Sequence, residues 1–130
     1  MAYKVFVVDD SKFMRMMLGD IITSMGCEVI EVDRGRCAVT MYKHYKPNLV
    51  TLDILMPEQD GMETLKQIFD LDPQAKVVMV TALGTEDYIK RSMELGACGF
   101  VVKPFSPEQI ETVVAKVLGD ESLHINSEAE

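Results

Sequence analysis

Apolar residues in this chain fall into two alternating rhythms. Short, nearly unbroken runs rich in Val, Ile and Leu occur at Val5 to Val8, Glu28 to Val32, Leu49 to Leu52, Val77 to Val80 and Gly99 to Val102. Such runs suit strands buried on both faces, the condition of a parallel sheet covered by helices. Between them lie longer stretches whose apolar positions recur every three or four residues, the mark of an amphipathic helix.

Caps and breakers delimit those helices. After Ser11, the residues Phe13, Met14, Met17, Leu18, Ile21, Ile22 and Met25 share a helical face, expected to be core rather than a cofactor-binding stripe, and Gly26 is placed to end that helix with a positive φ. Cys37, Ala38, Met41, Tyr42 and Tyr45 mark a second helix that stops near Pro47. Met62, Leu65, Ile68 and Phe69 mark a third, with Pro73 beyond it, and a weaker fourth runs from Thr85 through Ile89 and Met93 to Gly96. The last carries Ser106 as N-cap, Pro107 at its first position and Gln109 to complete a capping box, then Ile110, Val113, Val114, Val117 and Leu118 before Gly119. Five strand–helix units with right-handed crossovers predict an α/β, flavodoxin-like doubly wound (βα)₅ sandwich with parallel strand order 2-1-3-4-5. Residues 1–119 make the expected domain, and the acidic, aperiodic stretch 120–130 reads as a flexible tail.

Composition narrows the function. The 130 residues suit one domain, and 13 Lys plus Arg against 21 Asp plus Glu leave a formal charge of -8, which disfavours nucleic acid as a partner. The apolar run near the N-terminus is too short for a signal peptide or a membrane span, so a cytoplasmic protein without membrane contact is expected. Cys27, Cys37 and Cys98 are odd in number and form no C-x-x-C pair, which suits small buried thiols in a reducing compartment.

In open α/β sheets, ligands bind outside the carboxyl ends of the strands. Here those ends carry Asp9-Asp10, Asp53, Thr81-Ala82 and Lys103-Pro104, with no glycine-rich phosphate loop after the first strand. Each has an ordinary reading by itself: a helix cap, a strand end, a solvated lysine. Together, three carboxylates converging on one crevice suggest a hard divalent cation, Mg²⁺ with Mn²⁺ able to substitute, leaving coordination positions open for a phosphoryl group. Asp53 is then a nucleophile for phosphorus, Lys103 neutralises phosphoryl oxygens and the Thr81 hydroxyl donates a hydrogen bond to one of them.

These residues resemble the response-regulator receiver domains of two-component signalling. The resemblance covers about Lys4 to Gly119 and rests on Val8-Asp9-Asp10, on Asp53 followed by Met56-Pro57 and Asp60-Gly61, on Thr81-Ala82, and on Val102-Lys103-Pro104-Phe105. It implies that Asp53 accepts a phosphoryl group from a sensor histidine kinase, that Asp10, Asp53 and the Leu55 backbone carbonyl ligate Mg²⁺, and that Asp9 assists through water. It also implies a cis peptide before Pro104. A switch pair, Thr81 and Phe100, would remodel the surface of the fourth helix, fifth strand and fifth helix, although Phe100 lacks the phenolic hydroxyl found in many relatives. Within the family, the stretches Ser11 to Leu18 and Lys103 to Pro107 are most similar to single-domain chemotaxis regulators, which implies a chemotaxis-type kinase as donor, a flagellar motor switch protein as target and a separate phosphatase. A receiver cut from a longer regulator would read the same way.

The chain is accordingly expected to be a phosphoacceptor rather than an enzyme. A haloacid-dehalogenase-like phosphatase would need an acid two residues after its nucleophile, where this chain has Leu55, and a flavodoxin-like cofactor binder would need a phosphate loop. Leu55 and Leu83 are both unable to orient water, so a long-lived phosphorylated form is expected.

Overall fold

The computed structural model describes residues 2–120, 122 and 123. Strands β1 (Lys4–Val8), β2 (Glu28–Val32), β3 (Leu49–Leu52), β4 (Val77–Thr81) and β5 (Gly99–Val102) alternate with helices α1 (Lys12–Ser24), α2 (Gly35–Tyr45), α3 (Gly61–Leu71), α4 (Glu86–Leu95) and α5 (Pro107–Leu118). The strands form one parallel sheet in the order β2-β1-β3-β4-β5, the predicted doubly wound arrangement.

The end of α1 at Gly26 and the capping box of α5 are as read from the sequence; the caps of α3 and α4 are added by the structure. Ser11 Oγ accepts the Met14 amide at 3.2 Å, and the chain leaves α1 through Gly26 at φ 95°. Ser106 and Gln109 exchange a reciprocal capping pair at the head of α5, with Pro107 in its first turn. Thr85 caps α4. Asp60 caps α3, its Oδ1 accepting the Glu63 amide at 3.0 Å.

Alternation along the strands builds a core on each face of the sheet. Phe6, Val8, Val50, Leu52, Val77 and Met79 point toward α2, α3 and α4, whereas Val5, Val7, Leu49, Val78 and Val80 point toward α1 and α5. The central strands β1, β3 and β4 are closed on both sides. The edges are not: in β2 only Val32 is buried, and Val102 of β5 is 41% exposed, because an edge strand lacks a neighbour on one side.

Three expectations about the core need correction. Phe13 is 69% exposed, because the first turn of α1 projects past the ends of the strands that its later turns cover. Met93 is 44% exposed and Ser92 is the buried residue of α4, so that helix rests on the sheet by a narrow contact. Cys27 is buried, but Cys37 in the first turn of α2 and Cys98 in the turn before β5 are exposed.

Part of the stretch assigned to the tail is attached. The Tyr3 hydroxyl donates to Asp120 Oδ2 at 2.7 Å, and Leu123 packs against the core beneath α1 and α5. Residues 121 and 124–130, where the rest of that expectation falls, lie outside the described residues. Among the described residues, no helix is long and apolar enough to cross a membrane.

A second long-range bond ties α2 to the end of α3. The buried Tyr42 hydroxyl donates to Asp72 Oδ2 at 2.7 Å, and burial, reinforced by that carboxylate, pushes the phenol well above its ordinary value near 10. With the folded value above the unfolded one, this group's stabilisation is complete below about pH 10 and is lost as pH rises beyond it. Tyr42→Phe is therefore expected to cost about 1 kcal/mol at neutral pH. It should also flatten the loss of stability between about pH 9 and 11, measured by urea unfolding at a series of pH values.

Candidate functional site

The sheet register brings the acids together. β1 and β3 pair through Val8 and Leu52, and the Asp53 amide extends that ladder to Val8 O at 3.1 Å, so Asp9 and Asp53 stand side by side one residue beyond the paired strands. From the other side, the Lys103 amide bonds Thr81 O at 2.9 Å, and its side chain reaches inward over the sheet end. Its Nζ donates to Asp9 Oδ2 at 2.7 Å and to Asp53 Oδ2 at 2.9 Å. The Lys103–Pro104 peptide is cis.

Asp9 and Asp53 are 1% and 5% exposed, while Asp10 is open to solvent. One oxygen from each of Asp9, Asp10 and Asp53 can be chosen so that all three lie within 4.8 Å of one another. Burial pushes the Asp9 carboxyl up; the Lys103 ammonium and the Ser11 amide pull it down, and the neighbouring Asp53 charge adds to the rise. Burial opposes the Lys103 charge too, but its two carboxylate bonds more than offset that and hold the ammonium above its ordinary value. Three carboxylates against one ammonium leave an excess of negative charge around hard oxygen donors. That donor set fits a divalent cation such as Mg²⁺.

The remaining predicted residues surround this pocket. Thr81 ends β4 fully buried, its Oγ1 accepting the Leu83 amide at 3.3 Å. Leu55 is 56% exposed, and its amide donates to Asp53 Oδ1 at 3.2 Å. Phe100 and Leu83 are half-buried against the core on the α2, α3 and α4 side.

Two contributors act through contacts that the sequence does not show. Gly61 opens α3 so close to the acid-bearing loop that a Cβ there would lie 2.0 Å from Asp53 O and 2.6 Å from Ile54 Cα, and its own amide bonds Ile54 O at 2.8 Å. The Asp60-Gly61 pair was visible as a motif, but its steric reason was not. Arg15, on α1, donates from Nη1 to the backbone oxygen of Asp9 at 2.7 Å. A main-chain acceptor leaves no trace in sequence.

Known proteins are similar to this chain in sequence and fold. The family model for the response regulator receiver domain matches residues 5–115. The chemotaxis protein CheY of Thermotoga maritima is 45% identical over 90% of this chain and 98% of its own. That of Bacillus subtilis is 42% identical over 91% and 99%. More distant is sporulation initiation phosphotransferase F of Bacillus subtilis, 34% identical over 88% and 93%. Among solved structures, the CheX-CheY-BeF3-Mg²⁺ complex from Borrelia burgdorferi superposes with a TM-score of 0.86 at 38% identity, covering 88% of each chain. With the fold, the clustered acids and the matched length in agreement, the chain belongs to the response regulator receiver domains of two-component signalling and is similar, within them, to the CheY proteins.

Proposed function

We propose that the protein is a phosphorylation-activated response regulator in which Asp53 accepts a phosphoryl group from a sensor histidine kinase of the chemotaxis type. The observation that carries this reading is the buried Asp53 carboxylate held between Asp9 and Lys103 at the open end of a parallel sheet. One Asp53 oxygen forms the new bond to phosphorus while the bond from phosphorus to the donor's imidazole nitrogen breaks and that nitrogen keeps the electron pair. Lys103, already within 2.9 Å of Asp53 Oδ2, follows the incoming negative charge, and Thr81 offers its hydroxyl as a donor. Asp10, Asp53 and the Leu55 carbonyl would hold Mg²⁺ directly, with Asp9 assisting; the ion, or Mn²⁺ in its place, would supply further neutralisation of the phosphoryl oxygens. Leu55 stands where a haloacid-dehalogenase-like phosphatase would need its second acid, which favours phosphoacceptance over turnover.

Output follows by contact. Movement of Thr81 toward the phosphoryl group frees space for Phe100 to turn inward and reshapes the α4, β5 and α5 surface that a flagellar motor switch protein would read. The Borrelia relative bound to a second protein, CheX, supports output or reset through protein–protein contact. At the acid-bearing end of the sheet, exposed Phe13, Met16 and Leu55 offer apolar contact to such partners.

Intact mass after incubation with acetyl phosphate tests the reading: one added phosphoryl group with Mg²⁺, and none once the metal is removed with EDTA. Uptake that survives EDTA would remove the metal from the site. Reset is expected to be slow, because the exposed Leu55 side chain cannot position water at the acyl phosphate. Leu55→Asn should shorten the lifetime of the phosphorylated form several-fold in a decay assay; equal lifetimes would assign the slow step elsewhere.

A further inference from the structure

The Asp9–Asp10 peptide is fixed from a direction that the phosphoacceptor chemistry leaves unexplained. Every hydrogen-bonding group of Asp9 is engaged. Its amide donates to Val32 O at 3.1 Å, Oδ1 accepts the Ser11 amide at 2.9 Å, and Oδ2 accepts Lys103. Its carbonyl lies one residue past the end of β1, where no strand partner remains, and it is Arg15 that reaches it, at 2.7 Å. The same guanidinium donates from Nε to Glu31 Oε1 on β2 at 3.2 Å, and the Arg15 side chain is only 14% exposed. One planar group thus spans α1, the end of β1 and β2 with its N–H groups in a rigid fork.

Asp10 is the opposite case. Its carboxylate makes no hydrogen bond among the described residues and is open to solvent. The point from which it projects is therefore set by the backbone that carries it, and the planar Asp9–Asp10 peptide is the unit whose oxygen Arg15 holds. Arg15 bonds the main chain of Asp9 and not its carboxylate, so its influence on the acids is one of placement.

We infer that Arg15 is a positioning residue for divalent-cation binding: by holding the Asp9 carbonyl against Glu31, it fixes the peptide plane that aims Asp10 into the cation site. This rests on the metal role given to Asp10 above. Supporting groups one step behind a metal ligand typically change metal affinity 10–100-fold.

Calorimetric titration of the folded protein with MgCl₂ tests it. Arg15→Met keeps an aliphatic stem of similar length without any N–H group, and it is expected to bind Mg²⁺ about tenfold more weakly than the parent. Phosphorylation by acetyl phosphate should still reach the parent's extent once Mg²⁺ saturates. Arg91→Met removes the same charge from an exposed pair with Asp87 at 3.6 Å and should stay within about twofold of the parent. The amide resonances of Asp10 and Ser11 should shift in Arg15→Met before any metal is added.

Parent-like Mg²⁺ binding by Arg15→Met overturns the inference, as does an equal loss in Arg91→Met, which would reduce the effect to net charge. If circular dichroism shows Arg15→Met unfolded, Glu31→Ala, which removes the guanidinium's other anchor, decides instead: several-fold weaker binding supports the role and unchanged binding overturns it. A parent protein that binds no Mg²⁺ at all overturns the reading of the acid cluster itself, and Arg15's role with it.

Discussion

Asp53→Asn should take up no phosphoryl group from acetyl phosphate with Mg²⁺, under conditions where the parent gains one per chain by intact mass. The substitution nearly preserves volume, so packing at this 5%-exposed position is kept. What it removes is the anionic oxygen. An amide oxygen is a poor nucleophile toward phosphorus, and the neighbouring carboxylates are placed differently: Asp9 is more deeply buried than Asp53, and Asp10 stands at the solvent side. Lys103 retains Asp9 as a partner in the variant, so the pocket does not acquire an unpaired buried cation. The fold should therefore persist, with an unchanged far-UV spectrum, while uptake falls below detection. Undiminished phosphorylation of Asp53→Asn would take Asp53 out of its role and send the search to another nucleophile.

The second large effect is on stability. Gly61→Ala adds one methyl group, yet that carbon would sit 2.0 Å from Asp53 O, 2.8 Å from Asp53 C and 2.6 Å from Ile54 Cα. All three are backbone atoms of the segment that carries Asp53, so no side-chain rotation relieves the overlap. Relief requires α3 to withdraw from the end of β3, breaking the Gly61 amide bond to Ile54 O and disturbing the Asp60 cap. Overpacking of this kind is expected to cost about 3 kcal/mol or more, seen as a fall in Tm of roughly 10 °C or more. Gly35→Ala is a useful contrast. Its added carbon would meet Thr64 Oγ1 at 2.0 Å, but that is a side-chain atom able to rotate away at the expense of its bonds from Gln59 Nε2 and to Asp60 O. A smaller loss is expected there, and a Gly61→Ala protein as stable as the parent would refute the close approach.

Much of this is legible in the residues alone. The strands were readable because burial on both faces leaves continuous apolar runs, and helix ends such as Gly26 and Ser106 because they have chemistry tied to position. The acid cluster was legible through topology, since parallel strands deliver their carboxyl ends to one edge. What stayed hidden depends on distances through space or on main-chain acceptors. Phe13 fits the helical period of α1 but lies beyond the sheet that would cover it. Period records which face a residue occupies and not how far the neighbouring layer extends. The Lys103 bridge was foreseen as charge compensation for a phosphoryl group, whereas its place between Asp9 and Asp53 required the register of β1, β3 and β5. The Arg15 bond to Asp9 O has no sequence pattern at all, because every residue offers the same carbonyl.

The Tyr3–Asp120 hydrogen bond has a practical corollary. It fastens the residue ahead of β1 to the residue just past α5, at the end of the sheet opposite Asp9, Asp10 and Asp53. An affinity handle or fluorescent reporter fused ahead of Tyr3 or beyond Leu123 thus sets out from the remote pole of the molecule. The side chains of Tyr3 and Asp120 meet there, and Tyr3 and Leu123 pack on the same core cluster, so a linker between Tyr3 and Leu123 in a circular permutant would lie away from the acids.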